Sequence, residues 1–159
     1  MPTGIAPPPC PLLIGNAWVR SDSPQTPVVN PSIGQSIASV PHCTRNEVDA
    51  AVRSSADAFP AWADTSVMER AALMYRFREL VLRHVDRIAR MVSTEHGKTR
   101  PEAVASVKRG VEFIEYACGA PTLLMGRILP SMVSNIDGDA IRCPLGVVAG
   151  ITPFNFPAM

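Results

Sequence analysis

Leu145-Gly146-Val147-Val148-Ala149-Gly150-Ile151 is the stretch on which the fold turns. It is continuously apolar and small, with no polar residue to mark a solvent-facing side. Strands with one wet face alternate apolar and polar residues. Strands buried on both faces do not, and they belong to the parallel sheets of α/β proteins. The expected fold class is therefore α/β, with this run as a central parallel strand. Parallel neighbours need crossover connections of roughly a dozen residues or more. Nothing upstream reads as a βαβ unit, and only eight residues follow Ile151. The terminal Phe154, Phe156 and Met159 would also have nothing to bury against. The expectation is a chain cut within a larger fold.

The strand runs into Ile151-Thr152-Pro153-Phe154-Asn155-Phe156-Pro157, where two prolines bracket one amide side chain. Each proline holds the residue before it, Thr152 and Phe156, in extended geometry. A rigid turn at the carboxyl end of a sheet strand is where α/β folds place their chemistry. An Asn there can donate its amide hydrogens to a developing oxyanion. From spacing alone, an Asn that satisfies backbone groups in a tight turn accounts for Asn155 better.

Working back towards the start, residues 126–145 carry extended stretches over 127–133 and 140–143. These flank a turn-rich Asn135-Ile136-Asp137-Gly138-Asp139, the pattern of a hairpin. Before it lie three helical segments, each opened by a capping box, in which a Thr or Ser and a Glu three residues on satisfy each other's amides. Thr44-Arg45-Asn46-Glu47 opens the first, whose apolar Val48, Ala51, Val52, Ala58, Phe59 and Trp62 recur at helical spacing; Pro60 predicts a kink or a break. Ser66-Val67-Met68-Glu69 opens the second, where Leu73, Phe77, Val81, Val85, Ile88 and Val92 form one broad apolar stripe closed by Gly97. Thr99-Arg100-Pro101-Glu102 opens the third, which is expected to run to about Leu124. Nearer the start, Leu12-Leu13-Ile14-Gly15-Asn16-Ala17-Trp18-Val19 is a hairpin signal. Short strands are expected at 28–31 and 36–40, joined by Ser32-Ile33-Gly34, with prolines 24, 27, 31 and 41 at edges and turns. Residues 1–11, rich in proline, read as a disordered lead-in.

Composition bounds the function. A net charge of +1 supplies no basic field for nucleic acid. Hydrophobic residues are 47% and charged residues 18%, a globular balance. No apolar run approaches the roughly 18 residues of a membrane helix. With no Lys or Arg before Arg20, the start is neither a secretory signal nor an Arg-rich transit peptide. The expected location is the cytoplasm, with the mitochondrial matrix as the alternative in a eukaryote. Cys10, Cys43, Cys118 and Cys143 make no C-x-x-C pair, and His42, His84 and His96 make no H-x-x-x-H pair, so no metal site is expected.

The terminal motif resembles that of the aldehyde dehydrogenase superfamily, and its Phe-Asn-Phe form resembles the methylmalonate-semialdehyde branch. Other segments agree in order and spacing: Ile14-Gly15-Asn16-Ala17-Trp18, Val29-Asn30-Pro31, Glu95-His96-Gly97-Lys98-Thr99, Arg109-Gly110-Val111-Glu112 and Leu124-Met125-Gly126. The resemblance covers residues 12–159. It implies that 12–125 belong to an NAD-binding domain, 126–145 to an oligomerisation hairpin serving a homo-oligomer, and 146–159 to the first Rossmann-type strand with its catalytic motif. It implies that Asn155 holds the oxyanion, that Thr152 and Phe154 line the NAD site chiefly through backbone, and that Arg109 faces the aldehyde entrance. A planar Arg fork suits a substrate carboxylate, as in malonate or methylmalonate semialdehyde; a solvated helix charge beside Lys108 is the plainer reading of Arg109. The family often carries a Gly and an acidic residue in the turn of helix before this Arg, where Ala103–Lys108 here reads Ala-Val-Ala-Ser-Val-Lys. Lys98 has no glycine-rich loop around it and is expected at the surface.

For the full-length enzyme the resemblance implies thiolate attack on the aldehyde, hydride transfer to NAD, and passage of the acyl group to CoA with decarboxylation. The nucleophilic Cys and the rest of the sheet are expected beyond Met159, so residues 1–159 alone are expected to be inactive. Two alternatives stand beside this. One is part of a hydrolytic aldehyde dehydrogenase that releases a free acid. The other is an inactive chain that only associates with other subunits.

Overall fold

A computed structural model of the chain describes residues 8–159. Three antiparallel hairpins and five helices make up the described residues. β1 (Leu12–Ile14) pairs with β2 (Ala17–Val19), β3 (Gln25–Asn30) with β4 (Gln35–Pro41), and β5 (Arg127–Val133) with β6 (Ile136–Ala140). Between the second and third hairpins run α1 (Arg45–Asp64), α2 (Val67–Arg83), α3 (Val85–His96), α4 (Arg100–Cys118) and the short α5 (Ala120–Leu123). The Gly15-Asn16 turn of the first hairpin has positive φ at both residues, 58° and 62°, the geometry that matches the twist of its strands.

The core lies where α2, α3 and α4 meet. Ala89, Val92, Ala103 and Val107 are buried there, with Val81, Val85, Ile88 and Val104 packed around them. Ala89 and Ala103 have no exposed surface, so α3 and α4 approach with methyl groups between them. The helix starts are those the sequence predicts. Thr44, Ser66 and Thr99 each cap a helix in a reciprocal box with Glu47, Glu69 and Glu102.

Hydrogen bonds from the Ser21 hydroxyl, then the Thr44 amide and then its hydroxyl, hold the Glu47 carboxyl below its ordinary value of 4.5. The Thr99 hydroxyl, then its amide, and the Lys98 charge do the same for Glu102. A depressed carboxyl stabilises the folded chain fully above its unfolded value, and that contribution is lost as pH falls through the lower folded value. The thermal midpoint read by far-ultraviolet circular dichroism is therefore expected to fall on acidification from neutral pH to about pH 3. Glu47→Gln combined with Glu102→Gln is expected to flatten that dependence; an unchanged slope would contradict it.

Several expectations need correction. The run 145–151 is not a hydrogen-bonded strand among the described residues. A strand exists only with a partner ladder. Here the run lies instead beside α1, where Gly146, Val147 and Val148 share a cleft of about 410 Å³ with Phe59 and Trp62. Pro60 does not break α1, which continues to Asp64. The single stripe over 67–97 is carried by two helices, because the backbone leaves helical geometry at His84 (φ −109°, ψ 10°). The third helical segment likewise divides at Gly119. The last hairpin turns at Ser134-Asn135 rather than over 135–139, with Val133 opposite Ile136 and a register shift where Ser131 takes positive φ. Of the expected lead-in, residues 1–7 lie outside the described residues. Residues 8–10 are tied to β4, with Cys10 N–H donating to the Ser39 carbonyl at 2.7 Å and Ser39 N–H to that of Pro8 at 3.2 Å. No helix among the described residues is long and apolar enough to cross a membrane.

Candidate functional site

The site is assembled around a three-residue joint. α3 ends at Gly97, which takes the left-handed conformation with φ 81°. A Cβ there would lie 3.0 Å from Pro31 Cγ, so glycine serves both the cap and the seat of the Asn30-Pro31 turn. Two residues on, Thr99 caps α4, its hydroxyl donating to the Glu102 carboxylate at 2.7 Å and its amide at 3.1 Å. Lys98 is therefore held between two fixed helix ends.

From that joint Lys98 reaches the terminal motif. Its Nζ donates to the Asn155 main-chain carbonyl at 2.7 Å and stands 4.3 Å from the centre of the Phe156 ring. The motif is turned on itself, with Phe156 N–H donating to the Pro153 carbonyl at 3.3 Å and Met159 N–H to the Phe156 carbonyl at 3.2 Å. Its far end rests on α4 at Gly110. A Cβ at that position would meet the Ala158 carbonyl oxygen at 3.1 Å and Met159 Cα at 3.3 Å. The Arg-Gly pair of α4 thus has two functions: Gly110 admits the terminal segment, and Arg109 stands beside it.

Lys98, Ser106, Arg109, Phe156 and Met159 line one cleft of about 380 Å³. Arg109 is exposed at its mouth and pairs through Nη1 with Glu112, one helical turn on. Asn155 is exposed at the turn, its carbonyl committed to Lys98. Thr152 lies exposed in the segment before Pro153, and the Phe154 ring is 89% exposed. Of the residues predicted from sequence, only Arg109 lines the cleft itself. Asn155 is attached to it through Lys98 and its neighbour Phe156, while Thr152 and Phe154 are not among its lining residues. Sequence reasoning assigned Lys98 to the surface and missed its contact. The partner is a carbonyl 57 residues away, and no residue type signals a backbone acceptor. Cys118 is buried, whereas Cys10, Cys43 and Cys143 are exposed.

The model of the aldehyde dehydrogenase family matches residues 18–159. The chain belongs to that family. Malonate-semialdehyde dehydrogenase 1 of Geobacillus thermodenitrificans is 46% identical over 147 residues, which are 92% of this chain and 30% of that protein. The crystal structure of methylmalonate-semialdehyde dehydrogenase from Oceanimonas doudoroffii superposes with a TM-score of 0.90 at 40% identity, covering 92% of this chain and 30% of that one. A Sinorhizobium meliloti protein described as a methylmalonate-semialdehyde dehydrogenase, solved complexed with NAD, gives a TM-score of 0.88 at 34% identity, with the same coverage. The chain thus spans about 30% of the length of the relatives it matches, and its α/β architecture is that of the N-terminal part of aldehyde dehydrogenases.

Proposed function

We infer that the chain is the N-terminal part of an aldehyde dehydrogenase that oxidises malonate or methylmalonate semialdehyde, with NAD as hydride acceptor and CoA as acyl acceptor. The observation that carries this reading is the placement of Arg109 and the Asn155-Phe156 motif against one cleft. Arg109 recognises the carboxylate that distinguishes a semialdehyde from a simple aldehyde. Only its Nη1 is engaged by Glu112. The rest of the guanidinium fork remains for a planar, two-oxygen partner.

Asn155 acts on the other end of the substrate. When a thiolate adds to the aldehyde carbon, negative charge develops on the carbonyl oxygen, and a fixed amide donor stabilises it before it forms. Because the Lys98 bond engages the Asn155 main-chain carbonyl, the side-chain amide is spared for that role. The thiolate itself is assigned to the part of the enzyme beyond the matched 30%, since none of Cys10, Cys43, Cys118 or Cys143 stands in the motif. On the NAD side, the exposed Phe154 ring and the Thr152 backbone are chemically suited to a planar nicotinamide. NAD, when bound there, supplies the acceptor for the hydride. No residue of this chain is assigned to CoA.

Residues 12–125 belong to the NAD-binding domain, and the β5–β6 hairpin serves a homo-oligomer. Its exposed Ile128, Leu129, Met132, Val133 and Ile136 supply the apolar surface for that contact. The whole enzyme is placed in the cytoplasm. The test of the reading uses a chimera in which residues 1–159 replace the matching part of the Geobacillus malonate-semialdehyde dehydrogenase. Arg109→Gln is expected to raise KM for malonate semialdehyde by about 30- to 100-fold, the loss of a charge-assisted pair, while kcat changes little. The KM for propanal, which has no carboxylate, is expected to stay constant. Equal KM changes for the two aldehydes would contradict the assignment.

A further inference from the structure

Of the two cations that line the cleft among the described residues, Arg109 pairs with Glu112, whereas the Lys98 ammonium donates to the terminal motif. Its two contacts are of different kinds. A charge-assisted hydrogen bond at 2.7 Å fixes the Asn155 carbonyl, and the ammonium above the Phe156 ring at 4.3 Å fixes the next side chain. The base of the Lys98 stem is equally determined, by the left-handed Gly97 on one side and the Thr99 cap on the other. The acceptor and the ring are adjacent in sequence, so both restraints act on one peptide unit. The amide of that unit otherwise makes one long turn hydrogen bond, to the Pro153 carbonyl at 3.3 Å, and the segment after it rests on α4 at Gly110.

We propose that Lys98 is a positioning residue, latching the Asn155-Phe156 peptide to the α3–α4 joint and thereby aiming the Asn155 side chain. The proposal rests on the oxyanion reading of Asn155 for its functional meaning, but its geometry is testable without turnover. An Asn155 peptide free to rotate would present its amide donor only part of the time. A latched one is preorganised, which is the condition under which such donors are effective.

The experiment is nitrogen-15 relaxation on the 159-residue chain. The Phe156 and Met159 amides are expected to be ordered in the unaltered protein, with order parameters near ~0.8, and to fall below ~0.6 in Lys98→Met, while amides of α3 and α4 stay unchanged. Lys98→Arg is expected to restore the order, because guanidinium also donates to a carbonyl and stacks on a ring. The Lys98 ε-methylene protons are expected upfield of those of other lysines, from the Phe156 ring current, and Phe156→Leu is expected to abolish that shift. Unchanged order parameters in Lys98→Met, or an ε-methylene at the ordinary position, would overturn the latch. If Lys98→Met unfolds the chain, Phe156→Leu decides: a lost ring-current shift with reduced order at Met159 supports the latch, and unchanged order refutes it. Asn155→Ala keeps the main-chain carbonyl and is expected to leave the order intact. Failure of the latch and failure of the oxyanion reading are therefore seen in different variants and different measurements.

Discussion

Asn155→Ala, introduced into the chimera with the Geobacillus malonate-semialdehyde dehydrogenase, is expected to lower kcat by about 10²- to 10³-fold with little change in KM. The magnitude follows from the role proposed for the side chain. A donor aimed at an oxyanion contributes chiefly where charge develops, so its removal is felt in the rate more than in binding. Asn155 is exposed and holds no core together, so the substitution leaves the fold intact. Its main-chain carbonyl, and with it the Lys98 bond, survives the change. A fall in kcat therefore reports the lost amide and not a collapsed turn. A variant that retains more than about a third of the unaltered kcat would show that Asn155 is a turn residue without a donor role.

The largest structural effect is expected at Val107. It is 2% exposed and packs with Ala89, Val92 and Ala103 at the meeting of α3 and α4. Val107→Asp places an unpaired carboxylate among methyl groups, which costs at least several kcal/mol. Domain stabilities are about 5–15 kcal/mol, so most of the folding free energy is lost. The buried set is small, and no second core among the described residues compensates. Cooperative thermal unfolding by circular dichroism is expected to disappear in Val107→Asp. Val107→Ala is expected to lower stability by about 1–3 kcal/mol, the transfer and cavity cost of a small truncation. Lys108→Asp, one residue along on the exposed face, is expected to stay within about 0.5 kcal/mol. A Val107→Asp chain that melts as the unaltered one does would show that the α3–α4 contact is not the core.

How much of this was legible in the sequence depended on range. The capping boxes at Thr44, Ser66 and Thr99 are contained within four residues each, and all three form. The Gly15-Asn16 hairpin was legible for the same reason. Where two local preferences compete, the outcome was not. The apolar stripe of 67–97 carries on past His84, so periodicity could not mark the backbone break there. The turn of the last hairpin fell at Ser134-Asn135, where Asn135 takes the positive φ (62°) that Asn can adopt, while Gly138 does not. The run 145–151 has the composition of a doubly buried strand, but composition does not supply a partner ladder. At the site, the motif residues and Arg109 were identified by resemblance. Their arrangement depends on contacts across 57 residues from Lys98 and on the close approach of residues 158–159 to Gly110, neither of which leaves a periodic trace.

The most direct measurement is NADH formation by the chimera carrying residues 1–159, assayed with malonate semialdehyde and CoA after folding and oligomeric state are matched to the parent Geobacillus enzyme. If this chain supplies a working carboxylate clamp and oxyanion donor, kcat/KM is expected within about tenfold of the parent value, a difference of roughly 1.4 kcal/mol in transition-state stabilisation. A folded, correctly assembled chimera that forms no NADH from malonate semialdehyde would contradict it.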